Sequence, residues 1–541
     1  MTDTATRVEP VNDPAEDPGV PTWAIGVAAL VTALLTLLVA RFTHPAVGPD
    51  AVSYLAVSNS IRTGGGIAFW LEDPLLTWPP LWPALIAGFT ALTRLDSDVT
   101  ALVLNSLAAA GCVPAGFAVA RRVLRTRFTT RAMLVSLAVS PVLVGLAVLV
   151  QTEVLFALVT LGVLYVLMRW IDDEAPKWLV VAGALCAVGF YVRYQAIYVV
   201  PVFGAWIGLR VLLRRRSTGG AALSASSLGA AVVAGLWYVV PAVVPPLLWI
   251  ARNLTLGDSA MGPRFPSSIG PARNLAAAFS TTFKFLTSLP SVPLAPTAAV
   301  TVVGLVVLVV TLERTTRPSG STLRSSIVER CLDAFQGPAG LLVVFVGGFT
   351  LLMVVTRSII GFDDLDIRLL SPCLFPTSIL LLRWSELVLF DHARRRTLGH
   401  VAVGGWLGLQ IVITLALVGP ANSFMADYGF NADRAVAAST SPALDALPDD
   451  CRNYSNNAGD LYQSGFEAYI SPRKVEYKSD QPTRDLEKIV DRVESGEPVC
   501  LVWVEYSVDD EYWSVDELGE HLRLVELGSA DDVTTYRLEP R

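Results

Sequence analysis

Apolar residues along this chain come in runs of about 20, the length a helix needs to cross roughly 30 Å of hydrocarbon. The runs place membrane spans near 22–41, 98–120, 132–149, 154–170, 178–192, 195–213, 228–250, 296–312, 338–356, 369–390 and 401–419, about eleven helices. The apolar stretch PLWPALIAGFTALTRL (80–95) is too short and opens on prolines, which suits a helix lying in the interface. A first outer loop of 42–97 therefore holds two surface helices, near 50–63 and 80–94, parted by the TGGG run from Thr63 to Gly66.

Beyond the last span the pattern changes. In 420–541, VCLVWVEYSV reads as a strand, and TRDLEKIVDRVESGEP as a helix with Leu486, Ile489, Val490 and Val493 on one face, stopped by Gly496. SVDELGEHLRLVELG repeats a helix-then-strand look. The expected architecture is a polytopic α-helical membrane domain (22–419) followed by a small extracytoplasmic α/β domain (420–541).

Composition agrees. Of 541 residues, 53% are hydrophobic and 16% charged, and the mean hydropathy is +0.52. A soluble chain of this size carries more charge. The tail 1–21 is acidic and polar, lacks the positive start of a signal peptide, and reads as a disordered cytoplasmic segment.

Orientation follows from the arginines, which collect on the cytoplasmic side of membrane helices. The clusters are Arg121, Arg122, Arg125, Arg127 and Arg131; Arg214, Arg215 and Arg216; Arg314, Arg317, Arg324 and Arg330; and Arg394, Arg395 and Arg396. One path puts all four inside, with the N-terminus cytoplasmic and the C-terminal domain outside. Beyond Pro420 acidic residues outnumber basic ones by about two to one. Cys451 and Cys500 share that domain, on the oxidising side, which leaves two readings open: a disulfide or two buried thiols.

This path sets Asp50, Glu153, Arg193, Arg252 and Arg368 at one face, each near a helix end. Charged residues at that depth face a cavity or one another. Arginine suits phosphate because its planar fork donates two parallel hydrogen bonds, and a carboxylate can take the proton of an attacking hydroxyl. Each residue also has a structural reading: Asp50 as a helix cap, Glu153 as a helix-start acid, Arg193 as an interfacial anchor, Arg368 as a partner of Asp363, Asp364 or Asp366. The DDLD run at 363–366 carries the carboxylates a divalent ion takes, and equally reads as a solvated acidic loop. Trp78 and Trp82 could stack on a sugar or anchor the interface. Asn253-Leu254-Thr255 is a glycosylation sequon.

PDAVSYLAVSNSIRTGGG followed by TWPPLWPALIAGFTAL resembles the first outer loop of the C-type glycosyltransferases, in the family 39 branch of dolichyl-phosphate-mannose protein mannosyltransferase-like proteins. TEVLFALVTLGVLYVL, VRYQAIYVVPVFG, WIARNLTLG, DIRLLSPCLFP and SNNAGDLYQSG are similar to later family stretches, in the family's order. The chain departs from the pattern where Ala51, rather than a second acid, follows Asp50, and where Arg368-Leu369-Leu370 replaces R-Y-L.

The resemblance implies an inverting transfer of one sugar from a polyprenyl or dolichyl phosphate to an acceptor hydroxyl at the outer membrane face. Asp50 would be the base. Glu153, Arg193, Tyr194, Arg252, Arg368 and Trp82 would bind the donor phosphate or substrate. No nucleotide or cofactor is required, and a divalent cation is the one candidate ion. The partners are the lipid-linked sugar, an acceptor glycan, lipid or protein, and the bilayer. The alternative is a transporter or flippase of lipid-linked sugars, which would more often show repeated halves and polar groups at the bilayer midplane. A non-enzymatic envelope protein leaves the placement of Asp50, Glu153 and Arg193 unexplained.

Overall fold

The computed structural model describes residues 19–41, 45–68, 74–217, 224–257, 259–289, 335–390, 395–418, 433–462, 465–476, 479–507 and 510–541. Among them nine helical segments are long and apolar enough to cross a bilayer, and the shorter apolar helix Pro176–Val192 lies at another expected span. The expected span 296–312 and the arginines from Arg314 to Arg330 fall outside the described residues, as does Arg394.

The chain opens with α1 (Thr22–Val39), then α2 (Pro49–Thr63) and α3 (Leu81–Thr93), the two short helices expected in the first loop. Pro49 starts α2, where its fixed φ suits a helix and its missing N–H costs nothing. Gly64 ends it at φ 91°, a left-handed position that glycine takes without a Cβ clash. Next come α4 (Ser97–Ala120), α5 (Arg127–Val139), α6 (Pro141–Ala147), α7 (Glu153–Asp173), α8 (Pro176–Val192), α9 (Ala196–Ser217) and α10 (Ala225–Leu256). The expected span 132–149 is two helices, α5 and α6, because the residue before Pro141 is pushed out of helical conformation; Ser140 sits at ψ 111° and caps Leu143.

The stretch between the expected spans 228–250 and 296–312 is not a plain loop. α10 runs through it to Leu256, and α11 (Pro271–Thr287) follows. α11 is amphipathic, burying Asn274, Ala278, Thr281 and Phe285 while Leu275 stays exposed; an apolar-run reading passes over such a helix because half its residues are polar. It packs on α12 (Pro338–Ile359) and α13 (Leu374–Ser385). α14 (Arg396–Val418) completes the described bundle.

One apolar core runs through these helices, and a second cluster joins α2 and α3 through Val52, Tyr54, Trp82 and Ile86. Tyr462, from the C-terminal domain, packs on that second cluster.

The C-terminal domain is a five-stranded sheet in the order β2-β1-β3-β5-β4. The strands are β1 (Arg452–Ser455), β2 (Tyr469–Ile470), β3 (Val499–Val504), β4 (Arg523–Ala530) and β5 (Val533–Glu539). β1 is parallel to β2 and β3, and β5 is antiparallel to β3 and β4. β3, the VCLVWV stretch, is buried at every position, as a central strand covered on both faces must be. Its Cys500 is bonded to Cys451, which settles the choice left open above.

Candidate active site

Two local devices set the carboxylates side by side. Ala46 pairs with the segment before α7: its N–H donates to Val148 O (3.0 Å), and its carbonyl accepts from Val150 N–H (3.0 Å). The buried Asn105 side chain reinforces this, donating to Leu149 O (2.6 Å) and Gln151 O (3.0 Å). The starts of α2 and α7 are thereby fixed together, with Asp50 in the first turn of one and Glu153 at the first residue of the other. Acids in a first turn are favoured by the helix dipole. Gly48, not Asp50, is the cap residue of α2, so the carboxylate is left available.

Arg368 joins them. Its Nη2 donates to Asp50 Oδ2 at 2.6 Å and its Nε to Glu153 Oε1 at 3.1 Å, while Nη1 lies 3.8 Å from Asp363 Oδ2. Arg193 approaches Glu153 Oε1 at 2.8 Å through Nη1, which also donates to Thr152 Oγ1 at 2.8 Å. Glu153 is fully buried and its Oε2 has no hydrogen-bond partner. Asp50 and Arg368 keep 30% and 27% of their side-chain surface open, so the site has a mouth at this pair.

Burial pushes the Asp50 carboxyl above its ordinary value; the Arg368 charge opposes this, and the charges of Asp363 and Glu153 add to it. Burial works against the Arg368 cation, yet Glu153 and Asp50 outweigh it and hold the guanidinium charged. Burial, with the Asp50 charge beside it, keeps Tyr54 neutral. Tyr54 lies one helical turn beyond Asp50 and hydrogen-bonds the Thr152 side chain. Sequence reasoning passed over it; its spacing of four from Asp50 was the available signal.

The structure also brings in Arg357, another residue the sequence did not single out. It is wholly buried, with Nη1 donating to Ser267 Oγ (2.5 Å), Nε to Asp363 O (3.2 Å), and Nη2 to Asp364 Oδ1 (3.4 Å). Asp366 accepts from the N–H groups of Arg368 (2.9 Å) and Leu369 (3.1 Å). The DDLD run is thus drawn into arginine pairs and a backbone turn that aims Arg368, while the Asp364 side chain stays 61% exposed. Among the described residues no three His, Cys, Asp or Glu side chains group to hold a metal ion.

Three expected binding residues stand apart from this cluster. Arg252 donates to the carbonyls of Leu75 (2.7 Å) and Ile67 (3.3 Å), and stacks 4.4 Å over the Trp249 ring. Its fork is spent on the first loop's backbone rather than facing Asp50. The Tyr194 hydroxyl faces Leu76 O (2.9 Å) and Trp78 O (3.3 Å), and accepts from Trp249 Nε1 (2.8 Å). Trp82 is 1% exposed inside the α2–α3 cluster, where no sugar can lie on its ring. Asn253, of the sequon, is buried and donates to Ala260 O (2.8 Å).

The arrangement suits transfer from an anionic leaving group: a carboxylate with a raised pKa beside a firmly cationic arginine, at one end of an apolar bundle. Residues 77–249 match the sequence model of the dolichyl-phosphate-mannose-protein mannosyltransferase family. The fold is shared over 96% of this chain and 98% of ArnT from Cupriavidus metallidurans, whose structure holds undecaprenyl phosphate (14% identity, TM-score 0.55). It is similar to the Archaeoglobus fulgidus oligosaccharyltransferase, in a structure with zinc and sulfate (10% identity, 96% of this chain and 73% of that one, TM-score 0.54). A third likeness is to the mycobacterial arabinofuranosyltransferase AftD (14% identity, 96% of this chain and 40% of that one, TM-score 0.51). No curated protein matches the sequence. The fold is that of multi-pass membrane glycosyltransferases of the C type, and residues 77–249 carry the matching family segment. The expected resemblance is borne out.

Proposed function

We propose that the protein is an inverting transferase that moves one sugar from a polyprenyl or dolichyl phosphate to an acceptor hydroxyl at the outer membrane face. The observation that carries this is the bridge Asp50–Arg368–Glu153, which sets a base and a phosphate-binding cation within one hydrogen bond.

In the reaction the acceptor oxygen attacks the anomeric carbon while Asp50 takes its proton. The bond from that carbon to the phosphate oxygen breaks, and its electron pair leaves with the phosphate. The remaining N–H groups of Arg368, with Arg193 behind it, meet the charge that develops there. Stabilising such charge in a poorly hydrated site is a large contribution to catalysis. Glu153 holds both guanidiniums in place and keeps the cluster from carrying uncompensated positive charge.

The outer-face assignment is supported by the arginines of 121–131, 214–216 and 395–396, which gather at helix ends away from Asp50, and by a disulfide in the C-terminal domain. The likeness to an undecaprenyl-phosphate-bound fold supports the donor class.

The test is sugar release from a radiolabelled polyprenyl-phosphate sugar by purified protein, with the product's anomeric configuration read by NMR. Transfer with inversion that is lost in Asp50→Asn is the expected result. Movement of lipid-linked sugar across liposomes without any transfer would replace this reading by the transporter.

A further inference from the structure

The end of the bundle away from Asp50 holds a cavity of about 320 Å³ that the proposed reaction does not use. It lies between the end of α4, the start of α5 and the end of α7. α7 starts at Glu153 and has 21 residues, so its two ends are about 31 Å apart. The cavity and the Asp50 site therefore sit at opposite membrane faces.

Its lining is unusually charged. Five arginines line it, Arg121, Arg122, Arg125, Arg127 and Arg169, with Tyr165, and no lining residue is acidic. Two of these arginines are built in rather than loose. Arg122 donates to Met168 O (3.2 Å) and pairs with Asp172, and Arg169 lies 5.4 Å from the Trp178 ring. Yet Nε of Arg122 and Nε of Arg169 are both buried with no hydrogen-bond partner. A buried donor left unmet costs free energy that a ligand oxygen would recover. The buried Glu386 carboxylate is already committed at the cavity's wall: it accepts from the backbone N–H groups of Arg125 and Thr126 and from Arg383, and so anchors the turn before α5.

We infer that this cavity is a second anion site, taking the phosphate of a lipid head group in the arginine-side leaflet. The volume exceeds what a bare phosphate fills, and a cluster of arginines between helices at a membrane surface is suited to phosphorylated head groups. This inference is independent of the transfer reaction.

The test uses the full chain in nanodiscs, with phosphatidylglycerol binding measured by native mass spectrometry against phosphatidylcholine. Phosphatidylglycerol is expected to bind selectively, and at least about tenfold more weakly to the Arg121→Gln, Arg125→Gln, Arg169→Gln triple variant. The exposed pair Arg121→Gln, Arg125→Gln serves if the triple variant does not fold. Competition by inorganic phosphate would assign recognition to the phosphate group itself, and its absence to the whole lipid. Equal phosphatidylglycerol binding by wild type and variant, or no preference over phosphatidylcholine, overturns the inference.

Discussion

Arg368 Nη2 lies 2.6 Å from Asp50 Oδ2, although 318 positions separate the two residues. The same guanidinium reaches Glu153, so one side chain ties three distant parts of the chain into one site. Replacing it by glutamine should cut sugar transfer by roughly a hundredfold or more, since both the leaving-group charge and the carboxylate geometry are lost. Arg368→Lys should recover little, because an ammonium cannot span Asp50 and Glu153 with a planar fork. Single-turnover rates with a labelled donor check both.

The Asp50 carboxyl titrates above its ordinary value because it is buried beside the charges of Asp363 and Glu153. A base must be ionised, so kcat/KM should fall as pH falls through this raised value. Removing a neighbouring negative charge by Asp363→Asn should move that acidic limb to lower pH, because the Asp363 charge raises the Asp50 pKa. An unmoved limb would show that another group controls the profile.

Arg252 clamps the carbonyls of Ile67 and Leu75 instead of joining the Asp50 cluster. Arg252→Gln should therefore loosen the first loop, costing about 1–3 kcal/mol of local stability. Hydrogen exchange at residues 64–68 and 75–78 should rise. Donor KM should suffer more than kcat, whereas a phosphate ligand in the transition state would lower kcat.

At Gly183, α8 packs directly against the backbone of α10. A Cβ there would meet Tyr238 O at 2.2 Å and Pro241 Cγ at 2.7 Å. Both neighbours belong to a helix backbone or a rigid ring, so neither yields cheaply. Gly183→Ala should lower stability by roughly 1–3 kcal/mol, seen as a reduced thermal midpoint in detergent.

The Cys451–Cys500 bond closes a loop of 49 residues between the start of β1 and the centre of the sheet. Its loss should cost the C-terminal domain about 4 kcal/mol on the chain-entropy account. Cys451→Ser with Cys500→Ser should unfold that domain at lower denaturant than the bundle, as followed by proteolysis.

Much of the bundle could be read from the sequence because a membrane helix is a local object. Its length is set by the hydrocarbon thickness, and its apolar run needs no partner to be recognised. α2 and α3 were legible for a related reason: Gly64 and the prolines before α3 fix their ends locally. α11 was not, since its burial depends on α12 and α13 packing against one half of a polar-rich stretch.

At the site, residue types and membrane depth were enough to single out Asp50, Glu153, Arg193 and Arg368. Which arginine faces which carboxylate was not encoded in any one stretch. Arg252 and Arg368 look alike in sequence, each near a helix end on the same side. Only the folded chain gives the first to loop carbonyls and the second to Asp50. Arg357 and Tyr54 could not be ranked until the loop at 363–366 and the turn at Thr152 were placed against them. Spans follow from the transfer of short apolar segments out of water, which each segment decides alone. Hydrogen-bond partners follow from which helix ends meet, and that is decided by packing across hundreds of residues.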